Sequence, residues 1–478
     1  MDRKTIFEKS NSSRRSNYIG EASVPLKSPG SCIPKELLRD ELPLPSLGEL
    51  DVVRHFSHLA KLNFSVDHNF YPLGSCTMKY NPKINESMAN LEGFISIHPY
   101  QDKEFLQGAL ELMYSLEEVL CEITGMKAFS LQPSSGAQGE LTGMLIIRKF
   151  HDLHNNKKTK VIIPDSAHGT NPATAAMCGY TTQVIQSNSE GLIDIDKLFR
   201  LVDNDTAAIM LTNPNTLGLF EENILKISDI IHSKGGFLYY DGANFNPLLG
   251  VTKPSLMGFD VAHLNLHKTF STPHGCGGPG AGVVGVSEQL KDFLPIPLVR
   301  KEKGKFYLYY DLKHSIGRVR NFYGNFSVLI KAYAYILRLG CDGLLRAANN
   351  AVLNANYIKD SLKGVYDLAY SKRCMHEVVF TCQRQKERGA SALDIAKRLI
   401  DFGIHPPTMY FPLNVKEALM VEPTETESKE TIDYFIQSMG KIDKEIEKDL
   451  DRVKTAPYSM PVRRVDEVKA AREPNLKC

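Results

Sequence analysis

The sequence predicts an α/β protein built on a mostly parallel sheet. From about residue 100 onward, short apolar runs alternate with helical stretches, the pattern of strands joined by crossover helices. The strand candidates are continuously apolar rather than alternating, as in sheets covered on both faces. Hydrophobic residues make up 42% and charged residues 23%, the balance of a globular chain, and 478 residues suffice for several structural units at roughly 100–200 residues each.

Residues 1–90 are polar and Pro-punctuated with little sustained periodicity, and they read as an extended N-terminal segment that wraps the large domain or a partner. A large domain is expected over 91–325. It opens with a helix over 104–125, where Phe105, Leu106, Ala109, Leu110, Met113, Leu116 and Leu120 recur at three- and four-residue spacing until Gly125 stops it. Strands are expected at 160–163, 183–186, 207–212, 236–240, 261–264 and 282–286. Helices are expected at 139–153, 172–178, 195–201 and 222–233. Residues 326–478 read as a smaller C-terminal α/β domain and tail. It starts with a long helix from 325 to about 345, continued over 349–363, and goes on to a strand at 377–382 and a helix at 392–402.

Several function classes drop out. The 57 Lys+Arg and 55 Asp+Glu leave a net charge of +2, too little for charge-driven binding to nucleic acid or an acidic membrane. No run of about 18 apolar residues is present to span a membrane. The first twenty residues lack the apolar stretch of a signal peptide, and nine scattered Cys suggest reduced thiols, so a cytoplasmic protein is expected. Neither CxxC nor HExxH occurs, and no metal site is expected.

Ligands of open parallel sheets bind beyond the carboxyl ends of the strands, so the polar residues after each strand candidate matter most. They are Asp165, Ser166 and His168 after the first, Asn213 and Asn215 after the third, Asp241, Ala243 and Asn244 after the fourth, and Asn265, His267 and Lys268 after the fifth. Ser134, Ser135, Gly136 and Ala137 precede a helix. Lys268 supplies a primary amine able to form a Schiff base. Asp241 supplies an anion to hold a pyridinium nitrogen protonated. Ser135, Gly136 and Ala137 present N–H groups and a helix dipole to a phosphate. His168 offers a flat ring for stacking. Amine, anion, phosphate cradle and ring together fit pyridoxal 5'-phosphate. Each residue alone has an ordinary structural reading. Their order, ending with Lys268 27 positions beyond Asp241, is the one expected of an aminotransferase-like, fold type I large domain. The segment GCGGPG at 275–280 matches GxGxxG, but it leads into a β-leaning run rather than a helix, and it reads as a glycine-rich loop beside Lys268. Cys276 on that loop reads as a bystander.

With HKTFSTPHGCGGPGAG from His267, and YPLGSCTMKYNP at 71–82, the chain resembles glycine decarboxylase, the P-protein of the glycine cleavage system. DSAHGTNPA at 165–173, SIGRVRNFYGNF at 315–326, GIHPPTMYFPL at 403–413 and VEPTETESKE at 421–430 also resemble that family. The length is about half that of the one-chain form, so the sequence is similar to subunit 2 of the two-subunit bacterial form. The resemblance implies a glycine-decarboxylating oxidoreductase of the glycine cleavage system that transfers the aminomethyl group to the lipoyl arm of H-protein. It implies Lys268, Asp241 and His168 as catalytic residues, with Ser135, Gly136, Ala137, Asn213, Ala243 and His267 as further cofactor contacts. It also implies subunit 1 as partner, two copies of each forming a heterotetramer. His98, Arg318 and Arg320 are candidates for orienting the glycine carboxylate. The rival readings are another fold type I enzyme (an amino-acid decarboxylase, aldolase or desulfurase) and a non-catalytic structural subunit.

Overall fold

The consecutive apolar residues of each central strand feed two cores on opposite faces of one sheet, as a pleated strand requires. Ile162, Ile209, Leu211, Leu238, Tyr240 and Leu264 enter one core. Val161, Ile163, Ala208, Met210, Tyr239 and Val261 enter the other. The computed structural model describes residues 4–11, 13, 22–275 and 280–475. The expected loop residue Cys276 lies outside them.

The sheet has seven strands: β1 (Ala128–Ser130), β2 (Lys160–Pro164), β3 (Thr181–Ile185), β4 (Thr206–Thr212), β5 (Phe237–Gly242), β6 (Val261–Asn265) and β7 (Gly282–Val286). Their order is β1-β7-β6-β5-β4-β2-β3. The pairs from β3 through β6 are parallel, and β7 runs antiparallel to both β6 and β1. Helices Gly136–Leu153, Thr170–Met177, Ile195–Leu201 and Ile224–His232 connect and cover the strands. A hairpin, β8 (Leu298–Glu302) and β9 (Lys305–Tyr309), comes next.

The helix Phe326–Leu362 contributes to two cores, that of the large sheet and that of the C-terminal domain. Gly340, at φ 60°, breaks its helical geometry. Before the break Val328, Leu329, Ala332 and Ile336 pack on the large sheet. Beyond it Ala355, Ile358 and Leu362 pack on a small antiparallel sheet, β10 (Asp367–Leu368), β11 (Val378–Thr381), β12 (Thr408–Met409) and β13 (Ala418–Val421), ordered β10-β11-β13-β12. Helices Ala392–Asp401 and Lys429–Lys448 cover that sheet, the former started by a Ser391–Asp394 capping box.

The chain divides into two compact units, Met1–Phe64 and Ser65–Cys478. The expected 1–90 segment therefore ends earlier than its composition suggests. Residues 65–90 belong to the larger unit, anchored by Lys79, whose buried amine donates to Asn246, Tyr335 and Glu425. The first unit contains a helix that periodicity did not announce, Glu49–Ala60, and only His55 of it is buried. Leu26, Leu37, Leu42 and Leu44 of this unit are exposed. Among the described residues no helix is long and apolar enough to cross a membrane.

Candidate active site

Adjacent parallel strands deliver polar groups to one end of the large sheet. Thr212 ends β4, Asp241 lies in the last turn of β5, and Asn265 ends β6. The short helix Leu266–Thr269 follows β6 at once and carries His267 and Lys268. These groups open onto a cavity of about 240 Å³ whose wall also includes Gly136, Ala137, His168 and Ala243. Seven of the nine residues read from the sequence thus meet in one place.

Two do not line it. Ser135 caps the helix Gly136–Leu153, its hydroxyl accepting from the Gln138 N–H at 3.1 Å. Asn213 is fully buried beneath the cavity, accepting from the Glu221 N–H at 2.9 Å. The residue after a strand points to either face, and here it points away. The carboxylate candidates are also displaced. His98 packs edge-on to Tyr100 and Phe322, and Arg318 lies over the Tyr310 ring. Arg320 donates to Asn325, whose amide donates to the Ser134 carbonyl, so it braces the helix start from behind.

Asp241 is pinned from several directions. Oδ2 accepts from the Asn171 amide at 3.1 Å, Oδ1 accepts from the Ala243 N–H at 3.0 Å, and His263 Nε2 stands 3.4 Å from Oδ1. Burial pushes this carboxyl up, and His263, Asn171, the Ala243 N–H and Lys268 together outweigh it, holding it below the usual range. Burial pushes His263 down, so its ring is neutral. With Nε2–H toward the carboxylate, Nδ1 accepts from the Tyr239 hydroxyl at 2.6 Å. Glu140 lies beside them, and burial followed by the Asp241 charge raises its carboxyl. Sequence reasoning missed His263, Asn171 and Glu140. The signal for His263 was available: it is the one charged-capable residue inside the apolar run of β6.

Lys268 Nζ donates to the Ser75 carbonyl at 2.8 Å. Ser75 and Cys76 line the cavity from a segment outside the sheet. Burial, then His274 and Lys268, push His267 down to about 3, so it too is neutral, accepting from the Ala281 N–H at 3.3 Å. His168 is exposed at the cavity, its Nδ1 3.0 Å from the Thr170 hydroxyl, and Thr170 donates on to Glu140 at 2.9 Å.

These residues fit a pyridoxal phosphate group. Thr212 Oγ1 and Asn265 Oδ1 are buried at the cavity without a protein partner, which buried polar atoms seldom are. The helix beginning at Gly136 points its free N–H groups there. Gly282 packs against the Ser135 carbonyl so closely that a Cβ would collide with it, which fixes the cradle against β7. Asp241 supplies the buried anion, and Lys268 the amine. His168 supplies the flat ring.

Residues 25–308 match the family described as glycine cleavage system P-protein, and residues 347–462 match the C-terminal domain of glycine dehydrogenase. The probable glycine dehydrogenase (decarboxylating) subunit 2 of Caldanaerobacter subterraneus subsp. tengcongensis is 56% identical, over 99% of this chain and 98% of its own. The Bacillus licheniformis protein of the same description is 54% identical, over 100% of this chain and 99% of its own. A crystal structure of glycine decarboxylase (P-protein) in inhibitor-bound form superposes with a TM-score of 0.73 at 19% identity, covering 86% of this chain and 94% of that one. The apo structure of a cysteine desulfurase from Thermococcus onnurineus superposes at 0.62 and 15% identity, covering 79% of this chain and 95% of that one. At those identities the superpositions speak for the fold, which is that of the fold type I enzymes.

Proposed function

The chain belongs to the glycine cleavage system P-protein family, and from that premise we propose that it is the cofactor-bearing subunit of a decarboxylating glycine dehydrogenase. It is a pyridoxal 5'-phosphate enzyme that releases the carboxyl carbon of glycine as CO2. The observation that carries the site assignment is the convergence of the Lys268 amine and the pinned Asp241 carboxylate, from adjacent strands, on one cavity of about 240 Å³.

When bound, the cofactor supplies an electron sink for the charge left on the glycine carbon. Lys268 is its point of attachment. Asp241, ionised and held by Asn171 and the Ala243 N–H, keeps a proton on the ring nitrogen. His263 and Tyr239 behind it fix the carboxylate's direction. The free N–H groups at Gly136 and Ala137 hold the phosphate, and His168 stacks on the ring. Neutral His267 and the buried wall exclude water, which strengthens every charge interaction inside.

The relatives are named as a second subunit, and a first subunit completes the enzyme. We assign it as a heterotetramer with two copies of each, acting in the cytoplasm on the lipoyl arm of H-protein. The exposed leucines of the first unit support a role for it in covering a partner. The test is CO2 release from carboxyl-labelled glycine by this chain co-expressed with the first subunit and supplied with lipoylated H-protein. Glycine-dependent release that needs both additions is expected. Release of sulfur from cysteine instead, with none of CO2 from glycine, would assign the chain to a desulfurase.

A further inference from the structure

The small domain carries two buried carboxylates that the reaction described above does not use. On β11 and β13, Val378 stands opposite Val421 in an antiparallel pair. The adjoining residues, Glu377 and Glu422, therefore also face each other, and both are fully buried. Like charges opposite one another on neighbouring strands are destabilising, and two buried carboxylates side by side do not both ionise readily. His376 completes the cluster, a ring nitrogen of it and one oxygen of each carboxylate lying within 4.8 Å of one another. It does not compensate the charge. Burial, then Lys268, push its ring down to about 3, and both of its nitrogens lack hydrogen-bond partners.

The carboxylates grip one segment of the cavity wall. Glu377 Oε2 accepts from the Ser75 N–H at 2.8 Å, and Glu422 Oε2 accepts from the Thr77 N–H at 3.0 Å. Glu377 Oε1 also accepts from the Asn244 amide at 3.3 Å. Ser75 and Thr77 have φ of 60° and 42°, in the left-handed region that side chains other than glycine rarely adopt and that a β-branched residue resists. Something must hold them there, and the two carboxylates do. The Ser75 carbonyl in turn accepts from Lys268 Nζ at 2.8 Å. A continuous line thus runs from the small domain, through one peptide strap, to the lysine.

The charged and titratable groups facing the pair are few. Lys268 faces both carboxylates, Glu425 faces Glu422, and Cys76 sits between the two gripped N–H groups with its thiol pushed up by burial. Glu425 is itself matched by Lys79 at 2.8 Å. Among the described residues Lys268 is then the cation set against these two carboxylates and against ionised Asp241, while the rings of His168, His263, His267, His274 and His376, all pushed down by burial, face it without charge. Burial raises both carboxyls, their mutual repulsion raises Glu377 further, and Lys268 opposes this only in part.

We propose that Glu377 and Glu422 are positioning residues for Lys268: they hold one proton between them and, through the Ser75–Thr77 strap, fix the lysine amine and add a counter-charge to that of Asp241. This rests on the reading above that Lys268 carries the cofactor. The pair touches neither substrate nor cofactor and acts through the strap.

The test uses the assembled holoenzyme and the visible band of its lysine-bound cofactor, titrated against pH, together with kcat and KM for glycine. In Glu377→Gln or Glu422→Gln the remaining carboxylate ionises, so the pair keeps its single negative charge. Each single variant is expected to lose kcat about three- to tenfold, with the pH midpoint of the band unmoved. The double Gln variant keeps hydrogen-bond acceptors but loses the charge. It is expected to move the midpoint at least about half a unit to lower pH, because a cation that loses part of its counter-charge gives up its proton more readily, and to cut kcat at least about a hundredfold with little change in KM. A double variant with wild-type midpoint and kcat overturns the proposal, as does a single variant that already moves the midpoint as far as the double. Should the double variant not assemble, Glu422→Ala is compared with Glu422→Gln: a much larger loss of kcat in the former supports the proposal, and equal losses overturn it. Loss of activity on removing metal with EDTA, restored by a divalent cation alone, would replace the proton by a metal ion and overturn it too. Absence of any band from Lys268 in the wild-type enzyme would instead sink the cofactor assignment, which separates the two failures.

Discussion

The cavity has two walls of different origin. One is the end of the large parallel sheet, where Asp241 and Asn265 close β5 and β6 and Lys268 follows in the next turn of helix. The other is the strap around Ser75–Thr77, held by buried groups at the ends of β11 and β13. In the first wall, backbone geometry places the chemistry, since a parallel strand has only one carboxyl end and everything leaving it arrives in the same crevice. In the second, a strained segment is held by side chains from distant parts of the chain. The proposed reactive groups sit on the wall set by the sheet, and the proposed positioning acts from the wall assembled from remote pieces.

The largest effect expected falls on the rigid wall. Lys268→Ala removes the proposed point of attachment, and glycine decarboxylation should fall at least about a thousandfold with loss of the visible band. Retained turnover, measured as CO2 release, would mean that the lysine is on the wrong wall. Asp241→Ala should come next, at about a hundredfold or more in kcat, or ~2.7 kcal/mol, with cofactor still bound. A loss below tenfold would show that another acid serves the ring nitrogen.

On the second wall, Gly74→Ala probes the difference between the two. A Cβ there would run into the side chain of fully buried Met420, next to the strap. It should destabilise the protein by about 1–3 kcal/mol and lower kcat several-fold without abolishing attachment, read from thermal unfolding and the visible band together. His168→Ala should have a comparable or smaller effect, about tenfold weaker cofactor retention on gel filtration with thermal stability nearly intact. If only stability changes, His168 is a structural residue.

The smallest effect lies away from both walls. His232 Nε2 donates to Asp260 Oδ2 at 2.8 Å, and its side chain is 39% exposed. The Asp260 hydrogen bond raises its proton affinity above the ordinary histidine range. The stability this contributes is present in full below the ordinary range and is lost as pH rises through the raised value. His232→Gln should cost less than about 1 kcal/mol near pH 6, and that difference should shrink toward pH 9 in thermal unfolding.

The same division explains how much was legible in the sequence. The strands at β2, β4, β5, β6 and β7 were readable because both faces are buried and the runs are continuously apolar. The direction of β7 was not, since a five-residue apolar run looks the same in either orientation. β1, β12 and β13 are too short, at three, two and four residues, to show a pattern. Lys268, Asp241, Gly136 and Ala137 were legible because each sits directly after a strand or opens a helix. The same criterion also picked out Ser135 and Asn213, which do not line the cavity, because it does not say which face a side chain takes. Glu377 and Glu422 were invisible to it: their role depends on a pairing 45 positions apart in sequence. The Gly-Ser-Cys-Thr-Met-Lys stretch marked the strap through family resemblance without revealing what it holds.

Attachment of the cofactor to Lys268, on the rigid wall, is the assignment on which the roles of all the other residues depend. Borohydride reduction of the assembled holoenzyme, with peptide mapping of the product, probes that attachment itself. A single pyridoxyl label is expected on the peptide containing Lys268, absent from Lys268→Ala. A label on another lysine, or no label at all on an enzyme that decarboxylates glycine, would contradict it.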